Sequence, residues 1–145
     1  MKERILDRVY HINTFIPLIR LCPMEKIKKI SAGSYDLNKF LAGGYESDII
    51  TTIYGPGGSG KTNFCMLAVA SCARKGGKVI FIDTEGGFSS ERFVQLFKGD
   101  KSEIDKSLQN IILLKPTSFA EQERNFETLL SEIKRTPISL IVIDS

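Results

Sequence analysis

Apolar and polar residues alternate along this chain in two distinct ways. Short, almost unbroken apolar runs occur at 78–84 (KVIFIDT), 111–114 (IILL) and 138–143 (ISLIVI), and such runs are typical of strands in a parallel sheet that is covered on both faces. Another run, Asp48–Tyr54, is rich in β-branched residues and predicts a further buried strand. Between these runs, apolar residues recur every three to four positions, which predicts amphipathic helices.

Capping residues indicate where the helices begin and end. The stretch Lys61–Arg74 predicts a helix that the following Lys-Gly-Gly ends. Further helices are predicted after these caps: Ser34 or Asp36 before 37–40, Ser89 or Ser90 before a helix to Phe97, Asp100 before a helix to about Leu108, and Ser118 before a helix that stops ahead of Pro137. Strands and helices therefore alternate, which predicts an α/β fold with a mainly parallel sheet and helices on both faces.

A glycine-rich segment joins the run Asp48–Tyr54 to the helix that follows it. It reads Gly55-Pro56-Gly57-Gly58-Ser59-Gly60-Lys61-Thr62, a complete G-x-x-x-x-G-K-[ST] phosphate-binding loop. Its glycines let backbone N–H groups surround an anion, and the start of the helix adds partial positive charge. Lys61 is predicted to contact the β- and γ-phosphates and Thr62 to hold Mg²⁺, with Asn63 as a further nucleotide-binding residue.

Carboxylates follow two of the other predicted strands. Because ligands of parallel sheets bind at the carboxyl ends of the strands, Glu85 and Asp144 are expected to lie near the phosphate loop. Asp144 is predicted to bind Mg²⁺ through water, with the capping of a turn as the alternative. Glu85 is predicted to be the general base, or else to hold a hydrogen bond or a cation in its loop. For Asp83, two roles are predicted: it supports the ligands of the metal, or it simply ends its strand.

Composition sets the class of protein. The chain has 145 residues, 42% of them hydrophobic and 26% charged, as expected for one soluble globular domain. The net charge of +3 divides into +4 for residues 1–30 and −1 for the rest, and so neutral a core is no evidence for nucleic-acid binding, which would need a clustered basic face. The cysteines show no metal-binding spacing, and Cys65 and Cys72 are expected to act as small buried hydrophobic residues. Without an apolar span or a signal peptide, a cytoplasmic location is expected.

Residues 1–30 are treated as a basic extension that precedes a core of residues 31–145. Pro17 and Pro23 interrupt any long helix there, and the apolar residues from Ile5 to Val9 predict a short amphipathic one. The single histidine, His11, is expected to make local polar contacts. A basic arm, a partner-binding helix and a poorly ordered extension all remain open for this segment.

Several motifs together carry a family resemblance. The segment Asp83–Phe93 (DTEGGFSSERF), the phosphate loop and the strand IVIDS resemble the ATPase core of the RecA/RadA/Rad51 recombinases. The Gly-Gly after Glu85 and the segment Ser118–Gln122 (SFAEQ) make the chain most similar to the archaeal RadB branch, short RadA paralogues without the N-terminal helix-hairpin-helix domain. The segment Ser31–Thr51 is similar to that family's entry into the core. The resemblance implies a RecA-like fold over residues 31–145.

The resemblance also implies a function. Lys61 and Thr62 would contact the phosphates and Mg²⁺, Glu85 would activate water, and Asp144 would bind the metal. The expected activity is weak or DNA-dependent ATP hydrolysis in DNA repair and homologous recombination, beside a RadA-type recombinase or other repair proteins on single-stranded DNA.

Cores of this family continue past the Asp144 strand into the loops that hold DNA. The chain is therefore expected to be the N-terminal part of a core, truncated after that strand, and no residue in it is assigned to DNA. No phenylalanine is followed by alanine three residues later, so the polymerisation motif F-x-x-A is missing. The lack of this motif fits the RadB branch. The sequence leaves the oligomeric state open.

Two other functions remain as alternatives. The first is a RecA-like ATPase of another type, a KaiC-like regulator or a helicase-type motor, and the segment Asp83–Gly86 argues against it. The second is a non-catalytic fragment that binds nucleotide weakly or serves as an interaction module. The second alternative is favoured by the expectation that the last strand is left as an open edge.

Overall fold

A computed structural model describes residues 27–97 and 99–145 of the chain. The short helix predicted near Ile5, together with His11 and Cys22, lies outside the described residues. The elements in chain order are β1 (Lys29–Ile30), α1 (Tyr35–Phe40), β2 (Tyr45–Glu46), α2 (Lys61–Arg74), β3 (Lys78–Asp83), α3 (Ser90–Phe97), α4 (Lys101–Leu108), β4 (Ile111–Leu114), α5 (Phe119–Arg135) and β5 (Ile138–Asp144).

The main sheet has three strands in the order β4-β3-β5, and both pairings are parallel. The central strand β3 is buried from Val79 to Asp83, as expected for a strand covered on both faces. Side chains alternate along it, so Val79 and Phe81 point to one face while Ile80 and Ile82 point to the other. The predicted α/β fold with a parallel sheet is therefore confirmed.

Helices cover both faces of this sheet. On one face, Val79 and Phe81 pack with side chains of α2 and α3, including Met66, Val69 and Phe93. On the other face, Ile80 and Ile82 pack with Leu129 of α5. Burying each large apolar side chain contributes roughly 1.5–3 kcal/mol through the removal of apolar surface from water. None of the helices in the described ranges combines the length and apolar character that crossing a membrane requires.

The predicted helix caps are confirmed by their hydrogen bonds. Three cap side chains accept from the backbone N–H three residues further on, and these caps are Ser34, Asp100 and Ser118. Ser89 does the same for Arg92, at 3.3 Å. At the start of α5, Glu121 accepts from the N–H of Thr117 at 2.7 Å. Short-range patterns thus determine where these helices begin.

The prediction of a strand at Asp48–Tyr54 is wrong. This segment has no regular secondary structure, and the side chains of Ile50 and Tyr54 are 95% and 91% exposed. Strand propensity reflects packing against neighbouring strands, and no described strand pairs with this segment. The sequence analysis also missed the short antiparallel pair β1 and β2, which joins Ile30 to Tyr45.

One face of the sheet is only partly covered. The apolar side chains predicted along one side of α5 include Leu129, which is buried, but the rest of that side remains largely exposed: Phe126, Leu130 and Ile133. On the same face, Ile141 and Ile143 of β5 are 40% and 49% exposed. The outer edge of β5 has no partner strand among the described residues. The chain therefore presents an apolar surface formed by α5 and β5.

Candidate nucleotide-binding site

The phosphate loop leads into a helix whose first turn is open. The N-cap Gly60 has φ of 89° and makes no side-chain capping bond. In the described part of the chain, the backbone hydrogen bonds found in this loop are Ser59 N to Pro56 O at 3.2 Å and Phe64 N to Gly60 O at 3.1 Å. The first N–H groups of α2 therefore remain available to an anion, where the helix dipole also favours negative charge.

The Lys61 side chain folds back over the loop. Its Nζ donates hydrogen bonds to the carbonyl oxygens of Gly55 at 3.1 Å and Pro56 at 3.3 Å. These carbonyls carry only partial negative charge, and a charged phosphate oxygen makes a stronger hydrogen bond with an ammonium group. The structure thus places the Lys61 ammonium at the loop where the sequence predicts phosphate binding.

Thr62 of α2, Gly87 of the loop after β3 and Asp144 of β5 lie close together. A Cβ atom added to Gly87 would lie 3.2 Å from Thr62 Oγ1 and 3.4 Å from Asp144 Oδ2. Asp144 is only 5% exposed, and its buried Oδ2 has no hydrogen-bond partner among the described residues. A buried polar atom without a hydrogen-bond partner needs an explanation. For a carboxylate oxygen, a bound cation would provide it. The predicted convergence of Thr62 and Asp144 at the sheet edge is what the structure shows.

These oxygen donors suit Mg²⁺ that arrives with a nucleotide. Mg²⁺ in phosphate-transferring proteins is usually held by one or two protein oxygens together with phosphate oxygens and water. Thr62 and Asp144 supply a hydroxyl and a carboxylate, and within residues 27–97 and 99–145 no group of three or more His, Cys, Asp or Glu side chains forms a metal cage. The residues therefore fit a shared nucleotide and metal site.

Asp83 differs from Asp144 in its hydrogen bonds. Its Oδ1 accepts from Gly87 N at 2.9 Å and its Oδ2 from Phe88 N at 3.0 Å. Lys115 Nζ lies 3.7 Å from the same Oδ2. Because both oxygens are engaged within the chain, the structure favours the interpretation in which Asp83 ends its strand rather than supporting a metal.

Glu85 lies in the loop that Asp83 closes. The loop begins with Thr84, whose N and Oγ1 each bond to Asp144 O at 3.0 Å. Glu85 itself is exposed, and no hydrogen bond joins its carboxylate to another described residue. The structure places Glu85 at the predicted edge but does not join its carboxylate to Thr62 or Asp144.

The sequence analysis missed two cations at this edge. Arg92 on α3 donates from Nε to Asn63 Oδ1 at 3.1 Å, which ties α3 to the first turn of α2. Lys115 follows β4 directly, so the rule that singled out Glu85 and Asp144 at strand ends applied to it as well.

Cys65 lies close to the carboxylate of the proposed metal site. Burial and the nearby Asp144 carboxylate raise the pKa of the Cys65 thiol from an ordinary 9.0 to about 11. Burial also raises the pKa of Tyr45, and its neighbour Cys65 adds to that effect. A protonated thiol is a poor nucleophile, which agrees with the prediction that Cys65 is a packing residue.

A phosphate-loop motif before a helix and an acid at the end of a parallel strand are the features of phosphate-loop proteins of the α/β class. The sequence pattern of the Rad51 family matches residues 24–145, and the chain belongs to that family. The predicted recombinase-family relationship and RecA-like fold are thereby confirmed.

Within this family, the chain is similar to proteins named DNA repair and recombination protein RadB. The protein from Methanobrevibacter smithii is 38% identical over 127 residues, which are 86% of this chain and 53% of that protein. The protein from Methanococcoides burtonii is 41% identical over 123 residues, or 84% and 52% of the two chains. A crystal structure of the RadB recombinase matches with a TM-score of 0.65 and 35% identity over 79% of this chain and 50% of that one. The chain thus spans about half the length of these relatives.

The raised pKa of Cys65 leads to a first test. Because the thiol stays protonated, its alkylation by iodoacetamide should keep rising about tenfold per pH unit between roughly pH 7 and pH 10. The Asp144→Asn variant should shift this profile to lower pH, since a neutral amide no longer disfavours the thiolate, whereas Asp105→Asn on the exposed surface of α4 should not. Mass spectrometry of the Cys65 peptide measures the rate. A rate that levels off near pH 9 would contradict the raised pKa of Cys65. A pH profile that is the same in Asp144→Asn as in the wild type would contradict the contribution of the Asp144 carboxylate to it.

Proposed function

We propose that this chain binds ATP and Mg²⁺, hydrolyses ATP weakly, and serves a RadB-like role in DNA repair and homologous recombination. The observation that carries the proposal is the convergence beside Gly87 of Thr62 Oγ1 and the buried Asp144 Oδ2, which has no hydrogen-bond partner among the described residues. These atoms meet where the phosphate loop approaches the carboxyl end of the sheet. A nucleotide with its metal ion supplies both the anion for the loop and the cation for the carboxylate.

Nucleotide binding is assigned to the loop and the first turn of α2. The open N–H groups of Gly57, Gly58 and Gly60 and of Lys61 to Asn63 would hold the phosphate oxygens, and the Lys61 ammonium would exchange its carbonyl partners for them. Thr62 Oγ1 and Asp144 would hold Mg²⁺. When bound, Mg²⁺ offsets negative charge on the phosphates and on the group that is transferred.

Water activation is assigned to Glu85. Its carboxylate would accept a proton from the water that attacks the terminal phosphate, which is the role of a general base. Phosphoryl transfer depends mainly on positioning and charge stabilisation, so the backbone that carries Glu85 has to be fixed. The loop meets this need because Thr84 is bonded to β5 at one end and Phe88 is buried at the other.

The proposed biological role follows from the relatives. Proteins named for DNA repair and recombination share 38–41% of their aligned residues with this chain, which supports action on single-stranded DNA beside a RadA-type recombinase or other repair proteins. We assign no DNA contact within residues 27–145. The KaiC-like and helicase-type alternatives lose support because the Rad51 pattern covers residues 24–145.

A second candidate function is an interaction module. It is favoured by the apolar surface of α5 and β5, where Leu130 is 59% exposed and Ile143 is 49% exposed. Apolar side chains that remain grouped on a surface often mark a site of protein association. In this reading, nucleotide binding would regulate or stabilise the module rather than drive turnover.

The Lys61→Ala variant tests phosphate binding. Hydrogen bonds to charged groups contribute roughly 1.5–3 kcal/mol each, so ATP affinity should fall by about 100-fold or more. Calorimetric titration with ATP and Mg²⁺ measures this change. Lys101→Ala, at the exposed start of α4, is the matched control and should bind as the wild type does. Unchanged affinity in Lys61→Ala would contradict the phosphate-loop assignment.

The Glu85→Gln variant separates catalysis from binding. Loss of a general base should lower turnover by about 10²–10⁴-fold, while ATP affinity stays within about twofold because the loop and Lys61 are intact. Steady-state hydrolysis and equilibrium binding are measured on the same preparation, with Glu123→Gln on the exposed face of α5 as the control. A loss of ATP binding in Glu85→Gln would instead make Glu85 a structural residue.

A further inference from the structure

The carboxylate of Asp83 is buried beside the nucleotide site and needs a cation. Its side chain is 0% exposed, and Lys115 lies 3.7 Å away as the cation paired with it in the described part of the chain. A buried carboxylate is costly unless it is hydrogen-bonded and paired with positive charge. Lys115 therefore completes the environment of Asp83.

Lys115 also contacts the far end of the Glu85 loop directly. Its Nζ donates to Phe88 O at 3.2 Å, while the N–H of Phe88 donates to Asp83 Oδ2 at 3.0 Å. The N–H and the carbonyl group of Phe88 are thus both held by the ion pair of Asp83 and Lys115. The Phe88 ring packs against Phe81 with centroids 5.1 Å apart, which anchors the same residue in the core.

The near end of the loop is fixed independently. Thr84 is bonded to Asp144 O through both its N–H and its hydroxyl, each at 3.0 Å. Only Glu85, Gly86 and Gly87 lie between these two anchored positions. A shift of the Phe88 end would therefore move Glu85.

We propose that Lys115 is a positioning residue for ATP hydrolysis: by pairing with Asp83 and holding the Phe88 carbonyl, it fixes the loop that presents Glu85. This inference rests on the proposed ATPase function and assigns Lys115 no contact with the nucleotide. In the described part of the chain, Lys115 makes its polar contacts with Phe88 and Asp83, and no hydrogen bond or ion pair joins it to Lys61 or the start of α2, which would carry phosphate binding. Loss of Lys115 should therefore reduce the rate of hydrolysis and leave substrate affinity unchanged.

The test compares Lys115→Met, which keeps the aliphatic length but removes the charge, with Lys115→Arg, which keeps the charge. Lys101→Met, on the exposed start of α4, is the matched control. Small displacements of catalytic groups cost up to about 100-fold in rate, so we expect Lys115→Met to lower kcat by about tenfold or more with KM within about twofold. Lys115→Arg should restore kcat to within about threefold of the wild type.

Amide hydrogen exchange supplies a readout that does not depend on hydrolysis. Gly87 and Phe88 donate their N–H groups to Asp83, so these two amides should exchange faster in Lys115→Met and at the wild-type rate in Lys115→Arg and Lys101→Met. A wild-type protein without ATP turnover would contradict the proposed function, and the exchange rates would still decide whether Lys115 holds the loop.

The positioning role is overturned by any of three results. Unchanged exchange at Gly87 and Phe88 in Lys115→Met would show that the ion pair does not hold the loop. Faster exchange with unchanged kcat would make Lys115 structural only. A rise in KM that matches the fall in kcat/KM would place Lys115 in substrate binding.

Discussion

Parallel pairing of β3 with both of its neighbours places the candidate residues that follow the strands at one edge of the sheet. The register sets Asp83 beside Asp144 and Ile82 beside both Ile143 and Leu114. All three strands consequently end at one edge, and the chain leaves that edge through chemically different segments: the Glu85 loop, Lys115, and Asp144 itself. The helix α2 packs on the same sheet through Met66 and Val69, which brings its open first turn to this edge as well. The candidate site is therefore a consequence of the sheet.

Two neighbouring aspartates at this edge show how burial and hydrogen bonding separate structure from function. Both are at most 5% exposed and end adjacent strands. Asp83 accepts two backbone N–H groups and pairs with Lys115, so its charge is already compensated by the fold. Asp144 Oδ2 is without a partner in the described part of the chain, which leaves its charge for a ligand. The contrast supports assigning metal binding to Asp144 and loop anchoring to Asp83.

Local patterns in the sequence predict much of this arrangement. The bounds of α2 and β4, the caps Ser34, Asp100 and Ser118, and the meeting of Thr62 with Asp144 all follow from short-range rules and from the direction of parallel strands. The strand predicted at Asp48–Tyr54 failed because propensity cannot supply a neighbouring strand. Likewise, composition could not show which side of α5 stays exposed, or that Asp83 rather than Asp144 would find its donors within the chain. Those outcomes depend on long-range packing.

The most direct test of the account is the metal dependence of nucleotide binding in Asp144→Asn. If Thr62 and Asp144 hold the ion that accompanies the nucleotide, removal of the Asp144 charge should weaken the Mg²⁺-dependent part of ATP affinity by about 10–100-fold. Affinity measured without Mg²⁺ should remain at the wild-type level, as should both affinities in the surface control Asp105→Asn. Equal Mg²⁺ dependence in Asp144→Asn and the wild type would contradict the central claim that this edge of the sheet is a nucleotide and metal site.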